Sequence, residues 1–197
     1  MFDLERFIVD LRATLPERSR QPMKDVVARA VSDPASLMRT IGEPEKAGIQ
    51  VLHKSPELTV VNLLWAPRQI TLPHDHRMPA LIGMYTGRED NMFWRRVANP
   101  TKFQIETAGG EALGTGDVTI LGRDIVHSVI NPLDKISAAI HVYLGNFFEA
   151  DRSMWNAETL AEEPYDMARA IQGMALQKRH QRDERLCSGR RSPGPGT

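Results

Sequence analysis

The spacing of apolar residues changes along the chain, and the change divides it. Over residues 3–15, Leu4, Phe7, Ile8, Leu11 and Leu15 recur at helical intervals, with Asp3 and Glu5 at the end where a helix dipole favours negative charge. A second short helix is predicted over 22–31, with Met23, Val26, Val27 and Ala30 on one face. A third begins with Asp33 as its cap and Pro34 in its first turn. From about residue 49 the period shortens. Segments 49–53, 58–65, 80–85, 91–98, 103–107, 118–121, 127–130 and 136–144 are rich in residues that suit a sheet. Residues 86–90, which include Glu89, read as a turn, and Gly109, Gly110, Gly114 and Gly116 mark further turns. Many short strands with glycine and proline between them argue for a sandwich or barrel. Beyond Gly145 the chain becomes polar, and a helix is expected from Pro164 to about Asp183. The last eleven residues have almost nothing to bury and are expected to be disordered. The reading is an N-terminal helical segment over 1–45, a β-barrel over 46–150, a helical extension over 151–183 and a tail over 184–197.

Composition narrows the function classes. The 25 basic and 25 acidic residues cancel, so no net field favours nucleic acid or a membrane surface. Arg182 and Arg185 near the C-terminus are interleaved with Asp183 and Glu184, the pattern of a solvated helix end. No apolar run reaches bilayer length, and the amphipathic start lacks the basic and apolar blocks of a secretory signal. The one cysteine, Cys187, cannot form an intrachain disulfide framework. The expectation is a cytoplasmic protein, monomeric or a small homo-oligomer, acting on a small molecule.

The chemistry concentrates in two places. In Leu72-Pro73-His74-Asp75-His76, two histidines stand two apart, so in extended chain both imidazoles point to one side. A third, His127, follows in a segment that opens with Gly116-Asp117 and turns at 122–124. That segment reads as a hairpin able to bring His127 beside the first pair. Three imidazoles converging on one point are a metal site, and imidazole suits zinc, iron, copper and nickel.

The two stretches resemble the signature motifs of the cupin superfamily, a double-stranded β-helix or jelly-roll barrel. That superfamily usually adds a glutamate a few residues after its H-x-H. Here Arg77, Met78, Pro79, Ala80, Leu81 and Ile82 follow His76, with no carboxylate. A three-histidine cupin resembles the cysteine dioxygenase or thiol dioxygenase family, and the order of helices first and barrel after is similar to it over roughly residues 3–150. Trp65 lies where that family often has tryptophan. His141 and Tyr143 resemble the last two members of its Ser-His-Tyr triad, although Ala139 holds the serine position and Ser137 lies two residues earlier. The family's carboxylate-binding arginine, expected near 48–53, is missing, and Ala80 stands about where animal members carry a cross-linked cysteine.

The resemblance implies Fe(II) on His74, His76 and His127, with Zn(II) or Ni(II) as alternative metals. It implies oxidation of a small thiol by O2 to its sulfinate, with His141 and Tyr143 as the catalytic pair. Trp65, Arg68 and Arg77 are candidate substrate contacts; Arg95 and Arg96 are further basic candidates. A zinc hydrolase or lyase, a diketone-type dioxygenase and a non-catalytic ligand-binding cupin are the alternatives. The missing arginine predicts poor use of L-cysteine.

Overall fold

In the computed structural model, which describes residues 1–98, 103–167 and 169, the strands form two antiparallel sheets. Strands β1 (Gly48–Lys54), β2 (Thr59–Trp65), β4 (Ala80–Thr86), β7 (Val118–Leu121) and β9 (Ser137–Tyr143) build the first, in the order β1-β2-β9-β4-β7. The second contains β3 (His74–Asp75), β5 (Arg88–Ala98), β6 (Phe103–Gly114), β8 (Val126–Ile130), β10 (Ser153–Trp155) and β11 (Glu162–Pro164), in the order β11-β10-β3-β8-β5-β6. For the eight strands β2 to β9, the first sheet thus takes the first, eighth, third and sixth. The second takes the second, seventh, fourth and fifth. That interleaving is the double Greek key of a jelly roll. The fold is the mostly-β jelly-roll barrel expected from the sequence.

The inner strands β2, β4 and β9 of the first sheet are buried on both faces, which is why they read as near-continuous hydrophobic runs. Leu58, Val60, Leu81, Tyr85, Ala138, Ile140 and Val142 face outward onto three helices. These are α1 (Leu4–Ala13), α2 (Gln21–Val31) and α3 (Pro34–Ile41). Asp3 caps α1 by accepting from the Arg6 N–H at 2.8 Å, and Asp33 caps α3 through the Ser36 N–H at 3.0 Å. Gly83 in β4 has no room for a side chain, since a Cβ there would lie 2.5 Å from Val27 Cγ1 in α2. The alternate residues Val61, Leu63, Trp65, Ala80, Ile82, Met84, Ala139 and Tyr143 point into the barrel.

Four local expectations change. The segment from 118 to 130 is not a hairpin: β7 pairs with β4, whereas β8 pairs with β3 and β5. The turn at 122–124 moves the chain from one sheet to the other. Glu89 is not in a turn. Gly87, at φ +80°, makes the change of sheet with a single residue, and β5 is already under way at Arg88. Gly109 and Gly110 are not a turn either, because β6 runs through them to Gly114, past a register shift opposite Phe93 and Trp94. Finally, the chain after Gly145 adds two strands, β10 and β11, to the second sheet before any helix. Their three-residue length leaves no periodicity to read. The expected helix beyond Arg169, the tail and Cys187 lie outside the described residues. Among the described residues no helix is long and apolar enough to cross a membrane.

Candidate metal centre

Strand pairing brings the two histidine motifs together. His74 in β3 is directly opposite His127 in β8, and Phe93 of β5 is opposite His127 on its other side. His76 follows β3, just before Arg77 turns the chain with φ +55°. The ring centroids of His74, His76 and His127 are 4.7 to 5.2 Å apart. One ligand nitrogen from each lies within 4.8 Å of the others.

For His74 and His127 the outward nitrogen is committed, which fixes the inward one. His74 donates from Nδ1 to the Leu72 carbonyl at 2.9 Å. His127 Nδ1 meets Asn91 Oδ1 at 2.6 Å. Asn91 must present its oxygen there, because its amide N–H donates to the Glu89 carboxylate at 3.0 Å. His127 therefore carries its proton on Nδ1 and leaves Nε2 bare. That Nε2 lies 3.2 Å from His76 Nε2. Two nitrogens bound to one ion at about 2.1 Å stand roughly 3.0 to 3.4 Å apart. Burial pushes the proton affinity of His76 and His127 well below the ordinary imidazole value and that of His74 down to about 4. Neighbouring positive charge, including Arg152 near His74 and His76, adds to this. The imidazoles are neutral at pH 7, as metal ligands must be. A three-histidine donor set with two ring nitrogens at this separation fits a divalent cation.

Tyr143 and His141 sit beside this centre. The Tyr143 ring meets the His76 ring edge-on, centroids 5.0 Å apart, and stacks on Phe147 at 4.0 Å. Its hydroxyl is 3.2 Å from His141 Nδ1. Burial raises the phenol above its ordinary value, so it stays protonated. A cavity of about 370 Å³ opens against this group, lined by His74, Tyr143, Phe147, Trp65, Leu72 and Tyr165 among others. Its wall is mainly aliphatic and aromatic.

The basic candidates fall elsewhere. Arg68, at the surface, pairs with Asp134 at 2.9 Å and bonds the Pro132 carbonyl. Arg77 pairs with the fully buried Asp75 at 2.8 Å and reaches Ser153 Oγ and Glu162. Arg96 joins Asp75 at 2.5 Å and lies over the Trp155 ring, and Arg95 pairs with Glu106. All four hold strands together or cover the surface. None lines the cavity.

The sequence missed two residues that matter here. Arg152 is only 5% exposed, with its guanidinium 4.0 Å from the Phe147 ring and 3.9 Å from the Tyr165 ring. Its Nε and Nη1 have no hydrogen-bond partner among the described residues. It lies nine residues past Tyr143, in polar chain with no local signal. The other is Glu89, fully buried, whose carboxylate accepts from Trp65 Nε1 at 2.7 Å as well as from Asn91.

Fold and site together define a jelly-roll barrel carrying a three-histidine cluster suited to a metal. No protein-family model matches the chain. Among solved structures it is similar to a double-stranded β-helix protein from Klebsiella pneumoniae, at 16% identity and TM-score 0.43 over 57% of this chain and 81% of that one. It is similar to oxalate decarboxylase from Bacillus subtilis at 20% identity and TM-score 0.37, over 47% of this chain but only 22% of that chain. KdgF from a Halomonas species matches 48% of this chain and 74% of its own, at 16% identity and TM-score 0.39.

Proposed function

We propose that the chain is a thiol dioxygenase, holding Fe(II) on His74, His76 and His127 and converting an organic thiol and O2 to the sulfinic acid. The supporting observation is the ligand set itself: three neutral imidazoles, His76 and His127 buried and His74 half-buried, with no carboxylate among them. Such a set leaves the ion's double charge uncompensated and favours an anionic substrate donor, which a thiolate supplies. Bound iron would supply a cation that ionises the thiol and a meeting point for thiol and dioxygen. The balance is RSH plus O2 to RSO2H, with both oxygen atoms added to sulfur.

The chain's own residues set the rest. The aliphatic and aromatic cavity excludes water from the sulfur. Tyr143, kept protonated, offers a hydroxyl at the edge of His76. Arg152 is a buried cation with two free donor nitrogens beside the cavity residues Phe147 and Tyr165. It is not itself a lining residue of the cavity, but it stands against two that are, and the role first sought in Arg68 and Arg77 is assigned to it on that ground. A carboxylate desolvated here gains a charge-assisted partner, whereas an ammonium meets an apolar wall. The preferred substrate is therefore a thiol bearing an acid group and no amine.

Oxygen uptake by the iron-loaded protein with 3-mercaptopropionate, L-cysteine and cysteamine tests this. The first should turn over fastest. Arg152→Leu should raise its KM about a hundredfold, the effect of stranding one buried anion. Absence of oxygen uptake with every thiol would overturn the proposal. Metal analysis of the purified protein separates iron from zinc or nickel.

A further inference from the structure

The Ser-His-Tyr resemblance breaks at its first member. Ala139 has no hydroxyl. Ser137 is already engaged, accepting from the Arg88 N–H at 3.0 Å and donating to Asn131 Oδ1 at 2.9 Å. Yet His141 is 2% exposed and its Nε2 needs a partner. The group in reach is Glu89, with Oε2 3.4 Å from that nitrogen.

We infer that Glu89 replaces the triad serine, acting as a positioning residue that holds the His141 proton on Nε2 and leaves Nδ1 as a bare acceptor toward the Tyr143 hydroxyl.

Three observations carry this. First, Glu89 is an anion in the interior. Burial alone would raise its carboxyl, but contacts from His141, Trp65 and Asn91 hold it below the ordinary value. A carboxylate accepts and cannot donate, so the imidazole nitrogen facing it carries hydrogen. Secondly, the two protein donors already bonded to it, Trp65 Nε1 and Asn91 Nδ2, are neutral. His141 Nε2, at 3.4 Å, is the third nitrogen facing the charge. Thirdly, the same carboxylate orients Asn91 and, through it, His127. One buried charge thus reaches both a metal-site histidine and, through His141, Tyr143. The glutamate that is missing from the ligand set stands behind it. The tautomer rests on the placement of Glu89 and of the donors around it; the effect on rate rests on the proposed thiol oxidation.

The test reads tautomers directly. Long-range 1H–15N spectra of the full-length, metal-free protein with labelled histidine distinguish Nε2–H from Nδ1–H, and a His141→Gln spectrum assigns the signal. Wild type is expected to show His141 protonated on Nε2, and Glu89→Gln to shift it toward the Nδ1–H form or a mixture. In the iron-loaded protein Glu89→Gln should lower kcat by about ten- to a hundredfold, with KM changed much less. A wild-type His141 protonated on Nδ1 overturns the inference, as does a signal that Glu89→Gln leaves unmoved. Should Glu89→Gln fail to fold, the wild-type spectrum decides by itself. The expected tautomer in a protein that oxidises no thiol would leave this inference standing and remove the proposed function.

Discussion

At the scale of single residues, the site is governed by which nitrogen of each histidine is already committed. His74 and His127 both spend Nδ1 on an acceptor outside the cluster, so their Nε2 atoms face inward. Among the described residues the Tyr143 hydroxyl has His141 as its hydrogen-bond partner, and its ring packs against those of His76 and Phe147. Tyr143→Phe keeps the stacking on Phe147 and removes only the hydroxyl. Its expected effect is a 10- to 1000-fold loss of turnover, the scale of one acid–base group, with metal content unchanged. Steady-state kinetics beside metal analysis checks this; unaltered turnover would reduce Tyr143 to packing. The histidines and the tyrosine were readable from the chain because H-x-H and H-x-Y place both side chains on one strand face. Glu89 and Arg152 were not. Each is one charged residue among others, Glu89 between Arg88 and Asp90 and Arg152 after Asp151, and only its burial in three dimensions gives it a role.

At the scale of elements, the second sheet decides how rigid the centre is. Strand β3 has two residues, too few to hold two histidines by its own ladder. Asp75 between them compensates. It is fully buried, bonds the Ser153 N–H of β10 at 2.9 Å and draws in Arg77 and Arg96. Removing one partner of a buried ion pair costs about 3–5 kcal/mol. Both guanidiniums keep some solvent, so for Asp75→Ala the expected loss is about 2 kcal/mol. Urea unfolding measures it, and a loss under about 0.5 kcal/mol would show that β10 holds β3 without the ion cluster. Helices and the longer strands could be read from their patterns, since α2 shows a full stripe and β9 an apolar run broken by Ser137 and His141. The double-faced burial of β4 and β9 obscured alternation but still marked them as strands. What the sequence hid were the sheet changes at Gly87 and Gly122 and the short strands after residue 150, where pairing partners lie far away in the chain.

At the scale of the whole molecule, the barrel keeps three neutral histidines out of water, and that makes stability depend on pH. In the unfolded chain these imidazoles take up protons near their ordinary value of about 6.5. In the folded chain His74 does so only at about 4, and His76 and His127 are also held well below the ordinary value. The unfolded state therefore binds more protons as pH falls through this window, and folding loses stability. Metal-free protein should be fully stabilised by this effect above pH 6.5 and progressively destabilised toward pH 4. Urea midpoints at several pH values read the slope; a flat profile between pH 7 and 5 would mean that the imidazoles are not shielded from water.

The claim on which the rest depends is that His74, His76 and His127 jointly hold one metal ion. Metal content per chain, measured for wild type and for the triple alanine variant made side by side in iron-supplemented medium, tests it most directly. Wild type should carry about one ion, best as iron, and the triple variant almost none, while circular dichroism shows the same fold because the barrel has its own apolar core. A triple variant that folds and still retains one ion per chain would contradict the assignment.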